Sequence, residues 1–381
     1  MAAPSLVLVL NAGSSTLKYQ VLHPGSGDSL LRGVVERIGE DEVPDHGAAL
    51  GVMQAALDDR GIGADALLAV GHRVVHGGPR LGQPTVIDDI TLAEIEIQAR
   101  LAPLHNPPAA AGIRSARHHF PDVPQVAVFD TGFFADLPAP AATYAIDAEL
   151  AGREGIRRYG FHGISHEYVA AAVADFLDRP IGDLDQIVLH LGNGASASAI
   201  RGGRPVETSM GLTPLEGLVM GTRAGDLDPG VLLHLLRHGN LGVDALEDLL
   251  HHRSGLKGLS GHGDFRDLHV AIDDGDQGAL AALQVYCHRV RKYVGAYLAV
   301  LGGADVITFT AGVGEHDDRV RADALADLEP LGIVLDPERN HAATTGPRRI
   351  SADESPVAVL VIPTNEELSI ARQAASLLAA S

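Results

Sequence analysis

Three glycine-containing segments carry groups that can hold phosphate oxygens. The first is Asn11–Thr16 (NAGSST), with Lys18 two residues further on. Backbone N–H groups at a tight glycine turn can point at phosphate oxygens, and hydroxyl groups add donors. Asn and Gly are also typical of an ordinary hairpin turn, so for this segment alone both interpretations stay open.

The second segment is the turn Gly192-Asn193-Gly194, which has the same two interpretations. The third, 310–315 (TAGVGE), follows a predicted strand and precedes a predicted helix, which is the arrangement of a nucleotide site. It lacks the third glycine of the dinucleotide fingerprint. The chain also contains no Gly-x-x-x-x-Gly-Lys-Ser/Thr sequence, which excludes the P-loop class.

One arginine and one aspartate stand where they could bind an anion or a metal ion. Arg73 lies in a glycine-flanked segment (GHRVVHGG), and its guanidinium group is suited to clamping carboxylate or phosphoryl oxygens. An ordinary ion pair is the alternative for Arg73. Asp130 follows an apolar strand, and a carboxylate at such a strand end can hold Mg²⁺ or orient a nucleophile. Arg223 lies in a second segment with glycines (GTRAGD), where backbone can approach a ligand closely.

His72 and His76 are spaced at i, i+4, which on a helix could bind a metal ion. The intervening Val74-Val75 and the flanking glycines favour a strand instead, where the two imidazoles stand about two strand repeats apart. Arg73 is therefore predicted to be the functional group of this segment.

The elements that must position these groups form two similar series, each opening with strand, glycine turn and strand. The first series has predicted strands at 6–10, 16–22, 31–38, 67–75 and 125–129, and helices at 48–60 and 92–101. The second has predicted strands at 186–191, 195–201, 305–310 and 357–362, and helices at 277–301 and 366–380. Asp228-Pro229 predicts a further helix start, and Asp244 with Glu247 predicts a capping box.

The composition sets limits on function. Lys and Arg total 29 and Asp and Glu total 49, so the formal charge is 29 − 49 = −20. This argues against broad nucleic-acid binding, and it requires a locally positive pocket for any anionic ligand. The single cysteine, Cys287, cannot form an internal disulfide, which is typical of the cytoplasm. We find no signal peptide and no apolar stretch of membrane-spanning length.

Ten segments of the chain resemble acetate kinases, in the same order: 8–19, 71–78, 102–108, 128–131, 157–169, 190–194, 208–228, 264–267, 309–315 and 362–367. The resemblance implies an α/β fold of two ribonuclease-H-like domains with an interdomain cleft, as in actin-like ATPases. The N-terminal domain would be 1–149 completed by helix 367–381, and the nucleotide-binding domain would be 150–366.

The implied activity is reversible, Mg²⁺-dependent transfer of the γ-phosphoryl group of ATP to acetate, giving acetyl phosphate and ADP by direct in-line displacement. Mn²⁺ could replace Mg²⁺, and a cytoplasmic homodimer is expected, with no nucleic-acid or membrane partner. A propionate or other short-chain acyl kinase is the nearest alternative. A nucleotide-driven clamp without an acceptor is the alternative from another class.

The resemblance also implies roles for individual residues. The catalytic group would be Asp130, Arg73, Arg223 and His162, of which His162 and Arg223 would stabilise the transition state. The acetate pocket would be Arg73, Val75, Leu104, Phe161 and Pro214. The metal ligands would be Asn11, Asp130 and Glu366. The phosphate path would be Asn11, Ser14, Thr16 and Lys18.

The nucleotide would be bound mainly by residues of the second half. The implied set is Lys18, His190, Leu191, Gly192, Asn193, Gly194, Asp264, Phe265, Arg266, Gly312, Val313, Gly314, Glu315 and His316. Four positions depart from the usual family residues: Thr16 replaces Ser, Phe134 replaces His, and both Ala109 and His316 replace Asn. The segment 260–263 before Asp264 is also longer than usual.

Overall fold

The computed structural model describes residues 4–40 and 42–380. The chain forms two compact units. Unit 1 comprises the chain up to Ala135, then Phe161–Ser165 and the part from Asn365 onward, and unit 2 comprises Asp136–Gly160 and His166–Thr364. The domain boundaries given above, 1–149 with 367–381 and 150–366, stay a prediction.

Unit 1 is built on a sheet of parallel and antiparallel strands. Its strands are β1 Leu6–Ala12, β2 Thr16–Leu22, β3 Ser29–Glu36, β4 Leu67–Val74, β5 Thr85–Val86 and β6 Gln125–Phe129, in the spatial order β3-β2-β1-β4-β6-β5. The strands β1, β4 and β6 are parallel neighbours, and the others pair antiparallel. Continuous apolar runs form β1 and β6 because both faces of these central strands are covered.

Unit 2 repeats this succession of strands. Its strands are β7 Asp185–Leu191, β8 Ala195–Arg201, β9 Arg204–Thr208, β10 Val306–Thr310, β11 Arg348–Arg349 and β12 Ala358–Val361, in the spatial order β9-β8-β7-β10-β12-β11. Here β7, β10 and β12 are parallel and the outer strands antiparallel. Two similar mixed sheets with helices confirm the predicted fold class.

The helices of the described residues are α1 His46–Asp59, α2 Asp89–Ile97, α3 Asn106–His119, α4 Ala139–Ala142, α5 Ala148–Glu154, α6 Gly163–Leu177, α7 Pro229–His238, α8 Val243–His252, α9 Gly255–Ser260, α10 Phe265–Asp273, α11 Gln277–Leu301, α12 Ala311–His316, α13 Asp318–Leu325, α14 Pro337–His341 and α15 Glu366–Ala379. The last, α15, returns to unit 1 and packs on β1, β4 and β6 through a buried face that includes Ile370. Every helix in the described part of the chain is too short or too polar to cross a membrane.

Several predicted elements are confirmed to the residue, namely β2, β6, β8 and α11. Asp228 caps α7 as predicted, accepting a hydrogen bond from the Gly230 N–H at 2.8 Å. The predicted capping box was wrong, because α8 begins after Gly242 and Asp244 therefore lies inside its first turn. There a carboxylate interacts with the positive end of the helix dipole instead.

Candidate active site

The carboxyl ends of three parallel strands of unit 1 collect the predicted metal and phosphoryl ligands. Asn11 lies near the end of β1, Arg73 near the end of β4, and Asp130 directly after β6. The pairing of Leu10 with His72 and of Arg73 with Val128 places these ends beside one another. Such strand ends are where ligands bind in open α/β sheets.

Arg73 makes a two-pronged ion pair with Asp130. Its Nε and Nη2 atoms donate to the two carboxylate oxygens at 3.1 and 2.7 Å. A second carboxylate, that of Glu366 at the start of α15, lies 3.6 Å from Nε. These are one positive and two negative charges, so the group carries a net charge of 1 − 2 = −1 when all three are ionised.

Burial and charge act in opposite directions on this group. Burial alone would lower the pKa of Arg73, but the neighbouring Asp130 and Glu366 carboxylates raise it above its usual value, so the guanidinium stays charged. Burial raises the pKa of Asp130, which is almost fully enclosed, and Arg73 opposes that shift. A divalent cation beside these carboxylates would therefore be favoured, because it would replace lost hydration of the charge.

The loop that follows Arg73 is held by side chains that the sequence did not single out. Asn106, fully buried at the start of α3, accepts from the His76 N–H at 3.1 Å and donates to the His76 carbonyl at 2.9 Å. Thr131 Oγ1 accepts from the Gly77 N–H at 3.1 Å. These bonds fix Val75, the predicted methyl-pocket residue, which is half-buried. The Asn-Pro-Pro sequence was the available signal, since proline favours a helix start.

His72 and His76 do not form a metal site. The strand β4 ends at Val74, one residue before its predicted end, so His76 lies in the following loop and not, as predicted, on the strand with His72. His72 is buried and its Nε2 is 2.8 Å from Gln125 Oε1. Burial lowers the pKa of His72 to about 4, against the opposing effect of that hydrogen bond. The described residues contain no group of three or more His, Cys, Asp or Glu side chains placed to hold a metal.

His162 is presented by an unusual backbone segment. Its φ is 58°, in the left-handed region that few non-glycine residues adopt. The next residue, Gly163, donates its N–H to the Asp130 carbonyl at 2.7 Å, and a Cβ there would stand 2.3 Å from that oxygen. The backbone of Asp130 therefore fixes the segment that carries His162.

The other predicted residues of unit 1 differ in how far their side chains are buried. Phe161 is buried with its ring edge-on to His76 at 5.5 Å, whereas half of the Leu104 surface is exposed. Ser14 in the β1–β2 turn and Lys18 in β2 are exposed, and Thr16 at the start of β2 is half-buried. His46 Nε2 donates to the Gly13 carbonyl at 3.0 Å, which ties that turn to α1. Pro214 belongs to unit 2, so the predicted composition of the methyl pocket stays a prediction.

A pocket of about 860 Å³ in unit 2 gathers most of the predicted nucleotide residues. Predicted residues in its lining are Gly192, Asn193, Asp264, Phe265, Arg266, Gly312, Val313 and His316. Residues that the sequence did not single out also line it: Gly263, His269, Asp273, Asp317, Asp318 and Arg319. Of these, His269 could have been found from its i, i+4 spacing to Phe265 on α10.

The remaining nucleotide predictions of unit 2 do not line the pocket, and Lys18 belongs to unit 1. His190 and Leu191 are buried at the end of β7, and Gly194 closes the turn by accepting from the Gly192 N–H at 3.0 Å. The carbonyls of Gly314 and Glu315 accept hydrogen bonds from the buried Arg321 side chain at 3.1 Å each. These residues therefore shape α12 and the turn after β7 rather than line the pocket.

Asp264 and Arg266 hold each other at the start of α10. Asp264 caps the helix by accepting from the Arg266 N–H at 2.8 Å, and the Arg266 guanidinium bonds both carboxylate oxygens at 3.0 Å. The Arg266 hydrogen bonds lower the pKa of Asp264 to about 2. The Arg266 side chain is 91% exposed, so it is available at the pocket rim.

Arg223 stands apart from the other arginines of the predicted site. It is half-buried, its Nη1 donates to the Pro214 carbonyl at 2.8 Å, and it forms no ion pair with a carboxylate among the described residues. Burial lowers the pKa of this guanidinium below its usual value. A partly desolvated cation without a counter-ion is stabilised by an anionic ligand.

A family model and a sequence relative agree on the family of this chain. The family model described as "Acetokinase family" matches residues 6–372. An acetate kinase of Leifsonia xyli subsp. xyli is 55% identical over 395 aligned residues, which cover 99% of this chain and 100% of that protein.

Solved structures agree with this match. The acetate kinase of Porphyromonas gingivalis superposes with a TM-score of 0.93 at 39% identity, over 98% of this chain and 100% of that one. A propionate kinase of Francisella tularensis subsp. tularensis gives 0.91 at 37% identity, over 97% and 98%. The ROK hexokinase of Thermus thermophilus, at 14% identity and a TM-score of 0.50 over 99% and 100%, shares the fold alone.

Proposed function

Because the chain belongs to the acetokinase family and is a kinase that acts on acetate, we propose that its two units divide the reaction. Unit 2 binds the nucleotide in the pocket lined by α10 and α12. Unit 1 supplies the metal ligands and most of the acetate pocket. The observation that carries this proposal is the group formed by Arg73, Asp130 and Glu366 at the strand ends of unit 1.

The donor set of this group fits Mg²⁺. Protein sites for this ion usually supply one or two carboxylates, and water and substrate phosphates complete the coordination. Asp130 and Glu366 are two such carboxylates, and Asn11 lies at the neighbouring strand end. When bound, Mg²⁺ or Mn²⁺ would neutralise phosphate charge. With two added charges the group would change from −1 to −1 + 2 = +1, which would attract an anion.

The acceptor needs no general base. Acetate is ionised at neutral pH, as carboxylic acids are. Its oxygen attacks the γ-phosphorus in line, the bond from that phosphorus to the bridging oxygen breaks, and ADP leaves. Arg73 and Arg223 orient the reacting anions, and His162 donates a hydrogen bond to the transferring group. Positioning and charge neutralisation are the main sources of rate in phosphoryl transfer.

The test is an ATP- and Mg²⁺-dependent assay in which hydroxylamine traps acyl phosphate, run with acetate, propionate and butyrate. We expect acetate to be preferred over propionate by about tenfold, since one methylene is worth roughly 1–3 kcal/mol in a packed pocket. Val75→Ala should narrow that ratio. Equal use of propionate by the native protein would favour a propionate kinase, the second candidate, whose structural relative is noted above. Acid-independent ADP release would favour the clamp.

We further propose a homodimer in the cytoplasm. Helix α7 buries none of its residues, and it exposes the large apolar side chains Val231, Leu233 and Leu236. Leu233 and Leu236 are three residues apart and so lie on the same side of α7, and exposed apolar patches mark protein contacts. Light scattering should therefore give twice the chain mass, and Leu233→Lys should shift the mass toward that of one chain. A native protein with the mass of one chain would contradict the dimer.

A further inference from the structure

The loop that carries Pro214 and Arg223 joins β9 to α7 and contains neither helix nor strand. Loops of this length in compact domains are ordered only when other groups hold them. Met210, Leu218 and Met220 are fully buried, so the loop runs through the interior of unit 2. The groups that hold it therefore decide where Arg223 stands.

The first part of this loop is held by Arg158 and Tyr144. Arg158 Nη1 donates to the carbonyls of Ser209 and Met210 at 3.3 Å each, and its Nη2 donates to Glu216 Oε1 at 2.7 Å. Tyr144 accepts from the Leu212 N–H at 3.0 Å and donates its own proton to the other oxygen of Glu216.

The charge states suit these bonds. Burial and the Glu216 carboxylate raise the pKa of the Tyr144 phenol, which therefore stays protonated and keeps donating. Burial alone would lower the pKa of Arg158, but Glu216 raises it above its usual value. The guanidinium also lies over the Tyr144 ring, 5.5 Å from its centre, which adds a cation–π contact.

The second part of the loop is closed at the residue after Glu216. The Gly217 N–H donates to Asp226 Oδ1 at 3.0 Å, and the Asp226 N–H donates to the Gly217 carbonyl at 3.0 Å. Gly217 has φ 107°, and a Cβ there would stand 2.5 Å from the Ser209 carbonyl. Residues 218–225, including Arg223, thus form a closed loop whose base adjoins Glu216.

We infer that Glu216, held by Arg158 and Tyr144, is a positioning residue for Arg223. Glu216 holds Arg158 and Tyr144, which in turn bond the backbone of Ser209, Met210 and Leu212. The same segment carries the Pro214 carbonyl, which accepts from Arg223 Nη1 at 2.8 Å and so orients that guanidinium. The inference rests on the proposed function, because it assigns Arg223 to the transferring phosphoryl group. Glu216 itself acts through Arg223 and not on the substrate.

The experiment compares Glu216→Gln and Tyr144→Phe with the matched control Glu207→Gln. Glu207 lies 3.6 Å from the same Arg158 guanidinium but belongs to β9 and bonds the Thr208 N–H rather than the loop. Because a misplacement of about 1 Å can lower rate 10²-fold, Glu216→Gln should lower kcat by about 10²-fold and Tyr144→Phe by about tenfold. The KM for ATP should stay within about twofold, and Glu207→Gln should stay near native kcat.

A second measurement separates positioning from general destabilisation. In an Arg223→Ala background, Glu216→Gln should lower kcat by no more than about threefold further, because residues that act as a unit are non-additive. A full 10²-fold loss in that background, or native kcat in both Glu216→Gln and Tyr144→Phe, would overturn the inference. If Glu216→Gln does not fold, the same comparison of kcat is made with Tyr144→Phe in the native protein and in the Arg223→Ala variant. Native protein without acetate-dependent turnover would instead defeat the proposed function.

Discussion

Unit 1 and unit 2 order their strands in the same way, but the carboxyl ends of their parallel strands carry different chemistry. In unit 1 these ends present charged side chains, Arg73 and Asp130. In unit 2 the strands β7 and β10 lead instead into glycine-containing backbone, the turn Gly192–Gly194 and helix α12. One scaffold would thus serve the proposed metal and anion site in unit 1 and the proposed nucleotide pocket in unit 2.

The difference follows from what each ligand needs. A divalent cation and a transferring phosphoryl group require fixed full charges, which only side chains supply. A nucleotide presents a large surface that approaches backbone closely, which small residues permit. If this contrast is right, changes in unit 1 should affect turnover, and changes at the glycines of unit 2 should affect nucleotide binding.

The largest expected effect comes from removing the charge of Arg73. Arg73→Ala should lower kcat about 10³-fold or more, since it removes transition-state stabilisation and leaves two carboxylates uncompensated. Binding of ADP to unit 2, measured by calorimetry, should stay within about threefold. Arg114→Ala, which removes an exposed ion pair with Glu96 in the same unit, is the control and should be neutral. Loss of ADP binding in Arg73→Ala would contradict the proposal that unit 2 binds the nucleotide independently of the charged group in unit 1.

Unit 1 also depends on its backbone at one position, Gly163, which tests the contrast between side chains in unit 1 and backbone in unit 2. Gly163→Ala should lower kcat by about 10²-fold, because the added Cβ would displace either His162 or the Asp130 backbone. Gly51→Ala in α1 is the matched control, since a Cβ there meets nothing within 4 Å. The control should be as active as the native protein and no less stable. Equal activity in both variants would remove the role given to His162.

The buried histidines predict a pH effect on each unit. His72, with a pKa of about 4 in the folded state, binds its proton mainly in the unfolded state. Its contribution to stability is complete above pH 6.5 and is lost as pH falls toward 4, about 2 kcal/mol between pH 7 and 5. His166 in unit 2 is also buried, and burial lowers its pKa well below the usual value.

Hydrogen exchange at pH 7 and pH 5 can follow the two units separately. In His72→Gln, the protection of the β4 and β6 amides against exchange should differ less between pH 7 and pH 5 than in the native protein. The protection of the β7 and β8 amides should change with pH as in the native protein. An unchanged slope in unit 1 would show that His72 is not the group responsible.

The smallest of these effects is expected at a unit 2 glycine. Gly312 lines the nucleotide pocket, and a Cβ there meets nothing within 4 Å, so a larger side chain would occupy pocket space without disturbing the core. Gly312→Val should raise the KM for ATP about tenfold, or ~1.4 kcal/mol, and keep kcat at saturating ATP. A lowered kcat with a native KM for ATP would show that the backbone at Gly312 takes part in the chemical step rather than in nucleotide binding.

Local patterns in the sequence predicted the strands and the glycine turns, including Gly192, Asn193, Gly312 and Val313 of the pocket lining. The apolar runs of β1 and β7 and the following glycines were sufficient for that, since period and turn chemistry are short-range signals. The other lining residues that were named correctly came from the resemblance to acetate kinases. The bonds that hold these groups were not predictable. Asn106 acts on a loop 30 residues away, and Arg158 meets Glu216 over 58 residues. Only the folded chain brings such partners together.

The wrong capping-box prediction at Asp244 shows that local patterns can also fail over a few residues. The residue types were right for a cap, but Gly242 took the extended conformation that precedes the helix. The 2.6 Å contact between His269 and Asp317 in the pocket lining was also missed, because it joins α10 to the start of α13. Helix ends depend on tertiary packing as much as on the residues themselves.

The return of α15 to the sheet of unit 1 has a consequence for biosynthesis. The first strands of that sheet leave the ribosome long before Glu366 and the helix behind it. The separation is 365 − 135 = 230 residues, which takes roughly 10–50 s at typical translation rates. During that interval unit 2 can complete its own sheet, while the apolar face that Ile370 will cover stays open. Chaperone demand should therefore concentrate on nascent unit 1, and the proposed metal ligands Asp130 and Glu366 come together only after unit 2 has been made.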